Sequence, residues 1–397
     1  MAKGSSCFFK QRIVATGPTP VPDFVLTAEM SSVFYHRGPA FAAIMESVKK
    51  SLPKVFGTSG EVLMFAGTGT LAMEGAIANF FNAGDAVISV NAGKFGERWG
   101  QQAKVYGLKV HEIKVERGHA VKVDEVARLL EQNPDVRGVL IHASETSTGV
   151  RHPVKEIAAL AKNAKDCLTL VDGVTALGVF QVPMDDWGVD VLVGGSQKGF
   201  MLPPGLSFGA ASARAWARTE SVKSVRYYLD WRKERKALAE NSGAFTSPVT
   251  LIGGLKAALD YFEAEGLYNV YARNWKMTAA TRAAAKAMGF ELFVKDESSV
   301  SSACTAILAE GLYAGEIRKR YGLTMSGGQD ELKGKIVRVG HMGYIDAWDV
   351  ANQLQAIARV APHFNKKVDG AAGMEAFWKV VESAEDFTPA EFKGWPK

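Results

Sequence analysis

From about Glu61 to Ser212 the chain repeats one pattern: a short strand-like run, a glycine-rich or polar turn, then an amphipathic segment. The runs are Val62–Ala66, Ala86–Val90, Val110–Val115, Gly138–Ala143, Leu168–Val171, Val189–Val193 and Leu206–Ala211. Helix-like segments such as Leu71–Phe81, Val123–Glu131 and Val154–Lys165 separate most of them. Strands that are apolar on both faces and alternate with helices need cover on both sides. The pattern therefore predicts an α/β fold with a mostly parallel seven-stranded sheet flanked by helices. In such sheets ligands bind beyond the carboxyl ends of the strands, so the residues directly after each run are where chemistry is expected.

After Thr250 the texture changes. A long helical stretch, Leu251–Glu265, continues into Tyr268–Met288, and shorter strand candidates follow at Phe290–Val294, Ala303–Ala309 and Ile336–Gly340. A chain of 397 residues exceeds what one core usually spans. The expected division is an N-terminal segment, 1–22, packing near a small domain; a large domain, 23–264; and a smaller α+β domain, 265–397. Hydrophobic residues at 47% and charged residues at 22% are ordinary for a globular protein. A net charge of +5 without a basic run argues against a nucleic-acid partner. Three scattered cysteines, Cys7, Cys167 and Cys304, form neither a disulfide framework nor a metal site, which fits a reduced cytoplasmic setting. Met1–Lys10 lacks the apolar core of a signal peptide. No apolar stretch approaches the roughly 20 residues of a membrane span.

Four turns after the strands, and one arginine within a strand, stand out. Val189–Val193 runs through Gly194-Gly195-Ser196-Gln197 into Lys198. A lysine at this edge faces a cleft, and desolvation makes its neutral, nucleophilic amine easier to form; a solvated loop lysine is the plain alternative. Asp172 ends an apolar strand, and a buried carboxylate there needs a cation, unless it only starts a turn. Gly67-Thr68-Gly69-Thr70 lies between a strand and a helix, where small residues, hydroxyls and first-turn N–H groups suit a phosphate. It lacks the lysine ending of a nucleotide P-loop and the dinucleotide glycine spacing, and could merely cap the helix. His142-Ala143-Ser144-Glu145-Thr146-Ser147-Thr148-Gly149 clusters hydroxyls and a carboxylate where a ring could sit, or forms a polar turn. Arg338, inside the apolar run Ile336–Gly340, must find an anion, either a substrate carboxylate or a structural partner.

Together these stretches resemble the class V, fold type I aminotransferases that use pyridoxal phosphate, in particular the alanine–glyoxylate, serine–glyoxylate and serine–pyruvate group. The likeness extends from Gly17-Pro18-Thr19-Pro20, through His36-Arg37-Gly38-Pro39-Ala40-Phe41 and the turns above, with Ser196-Gln197-Lys198 and Pro203-Pro204-Gly205, to Arg338. The resemblance implies Lys198 as the Schiff-base lysine and proton shuttle, and Asp172 as partner of the pyridine nitrogen. It implies Thr68, Gly69, Thr70 and Gln197 as phosphate ligands, Thr146 at the edge of the ring and Phe95 stacked on it. Arg338 and Gly17 would face the substrate. Thr246 would reach the phosphate of a neighbouring subunit in a homodimer with shared sites; the family's tyrosine three positions earlier is Gly243 here. The implied activity moves an amino group from alanine or serine to glyoxylate or pyruvate by a ping-pong route. A 2-aminoethylphosphonate-type aminotransferase is the nearer alternative. A cysteine desulfurase built around Cys304 is a weaker one, because desulfurases of this fold place His before the lysine and on the ring, where Gln197 and Phe95 stand.

Overall fold

The computed structural model describes residues 9–31 and 33–395. The seven runs form one sheet, in the spatial order Val62–Ala66, Leu206–Ala211, Val191–Gly195, Leu168–Asp172, Val136–His142, Ala86–Asn91, Lys109–Lys114. Leu206–Ala211 is antiparallel to both neighbours, and the remaining pairs are parallel. The interior strands Leu168–Asp172, Val191–Gly195 and Leu206–Ala211 are buried along their whole length, which is why they read as unbroken apolar runs. Lys109–Lys114 is the edge, and its charged residues face water.

The sheet's carboxyl edge is shaped by how the helices begin. The helix Gly69–Phe80 starts after Thr68, which holds an extended backbone and makes no side-chain cap. Its first N–H groups are therefore left for an outside acceptor. Gly69 has a packing reason as well: a Cβ there would meet a Val174 methyl at 2.5 Å. The helix Lys94–Val105 begins at the same edge, directly after Ala86–Asn91.

A second apolar cluster gathers Met277, Ala284, Ile307, Val337, Val339, Leu354 and Phe377, apart from the core around the large sheet. Its strands Cys304–Leu308 and Ile336–Gly340 pair antiparallel, with Ala306 opposite Arg338. The helix Leu267–Ala287 contributes Val270, Tyr271 and Trp275 to the first core and its later residues to the second. The long helical stretch expected across 251–288 is two helices, because Gly266 adopts φ +83° between them. Phe290–Val294 is not a regular strand. It lies beside Cys304–Leu308, with the Phe293 N–H donating to the Ala306 carbonyl at 3.0 Å, but only Leu292 pairs in register, with Ile307. Beyond Val294 the chain enters a short 3-10 turn at Glu297–Ser299. Arg12–Ile13 pairs parallel with Leu323–Thr324, and Val14 joins the second core. Of the N-terminal segment 1–22, Met1–Phe8 lies outside the described residues.

Candidate active site

The turn after Val191–Gly195 is held tightly. The Ser196 hydroxyl donates to the Pro203 carbonyl at 2.7 Å and accepts from the Leu206 N–H at 3.2 Å. Thr19 anchors the next two residues from far away in sequence: its N–H donates to the Gln197 carbonyl at 3.1 Å and its hydroxyl to the Lys198 carbonyl at 2.9 Å. With its backbone fixed, Lys198 is 8% exposed, and its Nζ donates to the Thr16 carbonyl at 2.8 Å. Gly17 lies against that amine so closely that a Cβ would overlap Nζ. Burial, with the nearby charge of Arg338 adding to it, pulls the Lys198 amine down to about 8. A neutral amine is therefore accessible near neutral pH.

Asp172 ends its strand buried, with Oδ1 accepting the Val174 N–H at 2.8 Å. Burial pushes its carboxyl up to about 6, while Arg98 and Lys198 pull it down. A further cation in the cleft would hold it ionised. Across from it, Gln197 reaches the start of the Gly69–Phe80 helix: a Cβ on Gly195 would lie 3.2 Å from the Gly69 nitrogen and 3.3 Å from Gln197 Oε1. Gln197 Oε1 and Thr146 Oγ1 are both buried and make no hydrogen bond among the described residues. Orphan buried polar atoms cost about 1–3 kcal/mol each. Two of them at this edge fit a ligand with phosphate and ring oxygens.

Glu145, for which the sequence suggested no individual role, ties this edge together. Fully buried, it accepts the N–H groups of Phe95 at 3.0 Å and Gly96 at 3.2 Å on Oε2. On Oε1 it accepts the Ser147 N–H at 3.0 Å and the Ser147 hydroxyl at 2.6 Å. Gly93 leaves the space, since a Cβ there would overlap the Glu145 carboxyl carbon. The carboxylate thus caps the Lys94–Val105 helix and fixes both Phe95 and the Thr146 turn.

Arg338 approaches from the second core. It is 5% exposed, its Nε donates to the Gly327 carbonyl at 2.9 Å, and its Nη1 donates to the Thr146 carbonyl. Among the described residues it has no carboxylate partner, so part of the fork is free for an anion beside Lys198. Cys304 is also near: its Sγ donates to the Thr146 carbonyl at 3.6 Å, and burial pushes its thiol up to about 11. That is the state of a packed thiol, unlike an activated one. Arg98, not singled out by the sequence, donates from Nη1 to the Thr70 hydroxyl at 3.3 Å and lies 5.2 Å from the Phe95 ring centre.

Lys198, Gly17, Asp172, Gln197, Thr68, Gly69, Thr70, Phe95, Thr146 and Arg338 therefore meet at one edge of the sheet. Thr246 does not. It is exposed, makes no hydrogen bond among the described residues, and lines a separate small cavity with Phe65, Tyr228 and Glu234. Among the described residues no group of three or more His, Cys, Asp or Glu side chains could hold a metal ion, and no helix is long and apolar enough to cross a membrane.

Residues 24–330 match the family model described as "Aminotransferase class-V". The "Soluble hydrogenase, small subunit" of Synechococcus sp. (strain PCC 6716) is 38% identical, over 94% of this chain and 99% of its own. An L-aspartate–glyoxylate aminotransferase from Paracoccus denitrificans (strain Pd 1222) is 34% identical, over 83% of this chain and 86% of its own. The crystal structure of pyridoxamine–pyruvate aminotransferase from Mesorhizobium loti superposes with a TM-score of 0.90 at 28% identity, covering 95% of this chain and 99% of that one. A buried lysine and aspartate at the sheet edge, a helix start open to phosphate, the family match and the likeness to two aminotransferases agree: the chain belongs to the class-V aminotransferases and is a transaminase that uses pyridoxal phosphate.

Proposed function

We propose that this protein moves an amino group from a small amino acid, alanine or serine, to a small 2-oxo acid, glyoxylate or pyruvate, by a ping-pong route. The observation that carries the reading is the pairing of a buried Lys198 amine, parked on the Thr16 carbonyl, with a buried Arg338 whose fork is partly free. Two aminotransferase relatives, one named for glyoxylate and one for pyruvate, support a small oxo acid on one side of the reaction. They differ in the amino compound named, aspartate in one and pyridoxamine in the other.

When bound, pyridoxal phosphate supplies an electron sink for the electrons left at the substrate's α-carbon. This chain's residues do the rest. Arg338 holds the substrate carboxylate and so sets which α-carbon bond faces Lys198. The Lys198 amine, whose neutral form burial makes accessible, would take the proton from the donor's α-carbon and, in the other half of the cycle, deliver one to the acceptor's α-carbon. Asp172 would face the ring nitrogen and hold its proton. Thr68, Gly69, Thr70 and Gln197 would hold the phosphate, Thr146 the ring's edge and Phe95 its face. Gly17, with no side chain, leaves Lys198 room to swing between positions. The reading also includes two domains divided near residue 265 and a cytoplasmic homodimer. In that dimer the exposed Thr246 would reach the phosphate held by the other copy.

Borohydride reduction of the holoprotein followed by peptide mapping tests the site, with the label expected on Lys198. A label on another lysine removes the reading. Adding alanine, serine, aspartate and 2-aminoethylphosphonate singly, while following the cofactor's absorption, then tests the donor. Conversion by aspartate or the phosphonate alone would overturn the donor named here.

A further inference from the structure

We propose that Arg98 is a cofactor-binding residue whose guanidinium supplies positive charge to a phosphate monoester at the start of the Gly69–Phe80 helix. The inference rests on the phosphate being held where the preceding reading puts it. The groups assigned to it there, Thr68, Gly69, Thr70 and Gln197, are all neutral. A phosphate monoester carries between about 1.5 and 2 negative charges at neutral pH, whereas a helix start offers only about half a positive charge. A cation is needed nearby, and Arg98 is placed to be it.

The placement has several parts. Arg98 stands one turn after Phe95 on the Lys94–Val105 helix, and its guanidinium lies over that ring, 5.2 Å from the centre. From there Nη1 donates to the hydroxyl of Thr70, in the first turn of the neighbouring helix, at 3.3 Å. The arginine is thus one hydrogen bond from the N–H groups left uncapped by Thr68. Nearby acids are engaged elsewhere: Glu97 pairs with Lys94, and Glu74 accepts the Tyr106 hydroxyl. Arg98 has no carboxylate partner among the described residues. Its charge lowers both Asp172 and Lys198, so it acts into the cleft as well as toward the surface. An arginine merely packing its stem on Phe95 would have no reason to end at the phosphate cup.

The test compares binding of pyridoxal 5′-phosphate and of pyridoxal, which lacks the phosphate, to wild type, Arg98→Gln and Arg98→Lys. Dissociation constants are read from absorbance and intrinsic fluorescence. Arg98→Gln should weaken the phosphorylated cofactor 10- to 100-fold and pyridoxal less than threefold, with Arg98→Lys in between. Equal weakening of both ligands would overturn the inference in favour of a role through the Phe95 ring. Unchanged binding of both would overturn it outright. So would unchanged cofactor affinity with a raised KM for the amino donor, which would make Arg98 a substrate residue. Should Arg98→Gln not fold, Arg98→Met takes its place, with the same loss expected for the phosphorylated ligand only. Failure of wild type to bind pyridoxal phosphate at Lys198 would instead sink the functional reading itself.

Discussion

Replacing Glu145 by Gln should loosen one side of the active-site edge and spare the other. The carboxylate takes two backbone donors on Oε2, from Phe95 and Gly96, and two donors from Ser147 on Oε1. A glutamine of the same size has one carbonyl and one NH2. Its carbonyl must face Phe95 and Gly96, because two backbone N–H groups cannot turn away. The NH2 then faces Ser147, whose hydroxyl can rotate to accept, while its N–H is orphaned. One orphaned buried donor costs about 1–3 kcal/mol. Taking about 2 kcal/mol as local, the Ser147 amide should exchange hydrogen about 30-fold faster than in wild type. The Phe95 and Gly96 amides should change only a few-fold, through loss of the charge. Glu145→Ala removes all four acceptor contacts and should speed exchange at all three amides. The assay is native-state hydrogen exchange resolved to single amides. Faster exchange at Phe95 and Gly96 than at Ser147 in Glu145→Gln would refute the reasoning, as would no change at any of them.

Arg338→Ala should raise KM for both donor and acceptor about 100-fold, the order expected for losing a charge-assisted fork of about 3 kcal/mol; a fall in kcat with KM unchanged would contradict it. The Lys198 amine sits near 8 when folded against an ordinary 10.5, so above about pH 8 the unfolded chain binds the extra proton. The cofactor-free protein should therefore gain up to about 3 kcal/mol as pH rises from 8 to 10.5. Lys198→Met should flatten that rise in a denaturation series; parallel curves would count against the burial argument. Cys304, with its thiol pushed up to about 11, should be dispensable for sulfur chemistry, so Cys304→Ala should keep transamination within threefold. Alanine released from cysteine by wild type and lost in that variant would restore the desulfurase alternative.

Much of this architecture could be read from local pattern. Runs such as Leu168–Val171 and Leu206–Ala211 are buried on both faces, and burial on both faces writes itself as an unbroken apolar string. The turn residues Thr68, Gly69, Asp172 and Lys198 were visible because strand ends locate a binding edge before any contact is known. Where local pattern misled, backbone detail decided: one glycine at φ +83° splits the helical stretch at Gly266, and a single in-register pair is all that Phe290–Val294 achieves.

What the amino-acid sequence determined by itself was the layered α/β design and the edge at which chemistry gathers, since both follow from the periodicity of burial within short segments. What only the tertiary structure decided was which groups face one another there. The Lys198 amine meets a carbonyl 182 positions away, and Arg338 reaches the Thr146 carbonyl across 192. Glu145 joins two loops separated by some fifty residues, with Phe95 at the far end, and Arg98 reaches Thr70 from another helix. No spacing rule covers such distances. They are set by how strands order themselves in a sheet and how the second core docks against it, and those are outcomes of packing the whole chain at once.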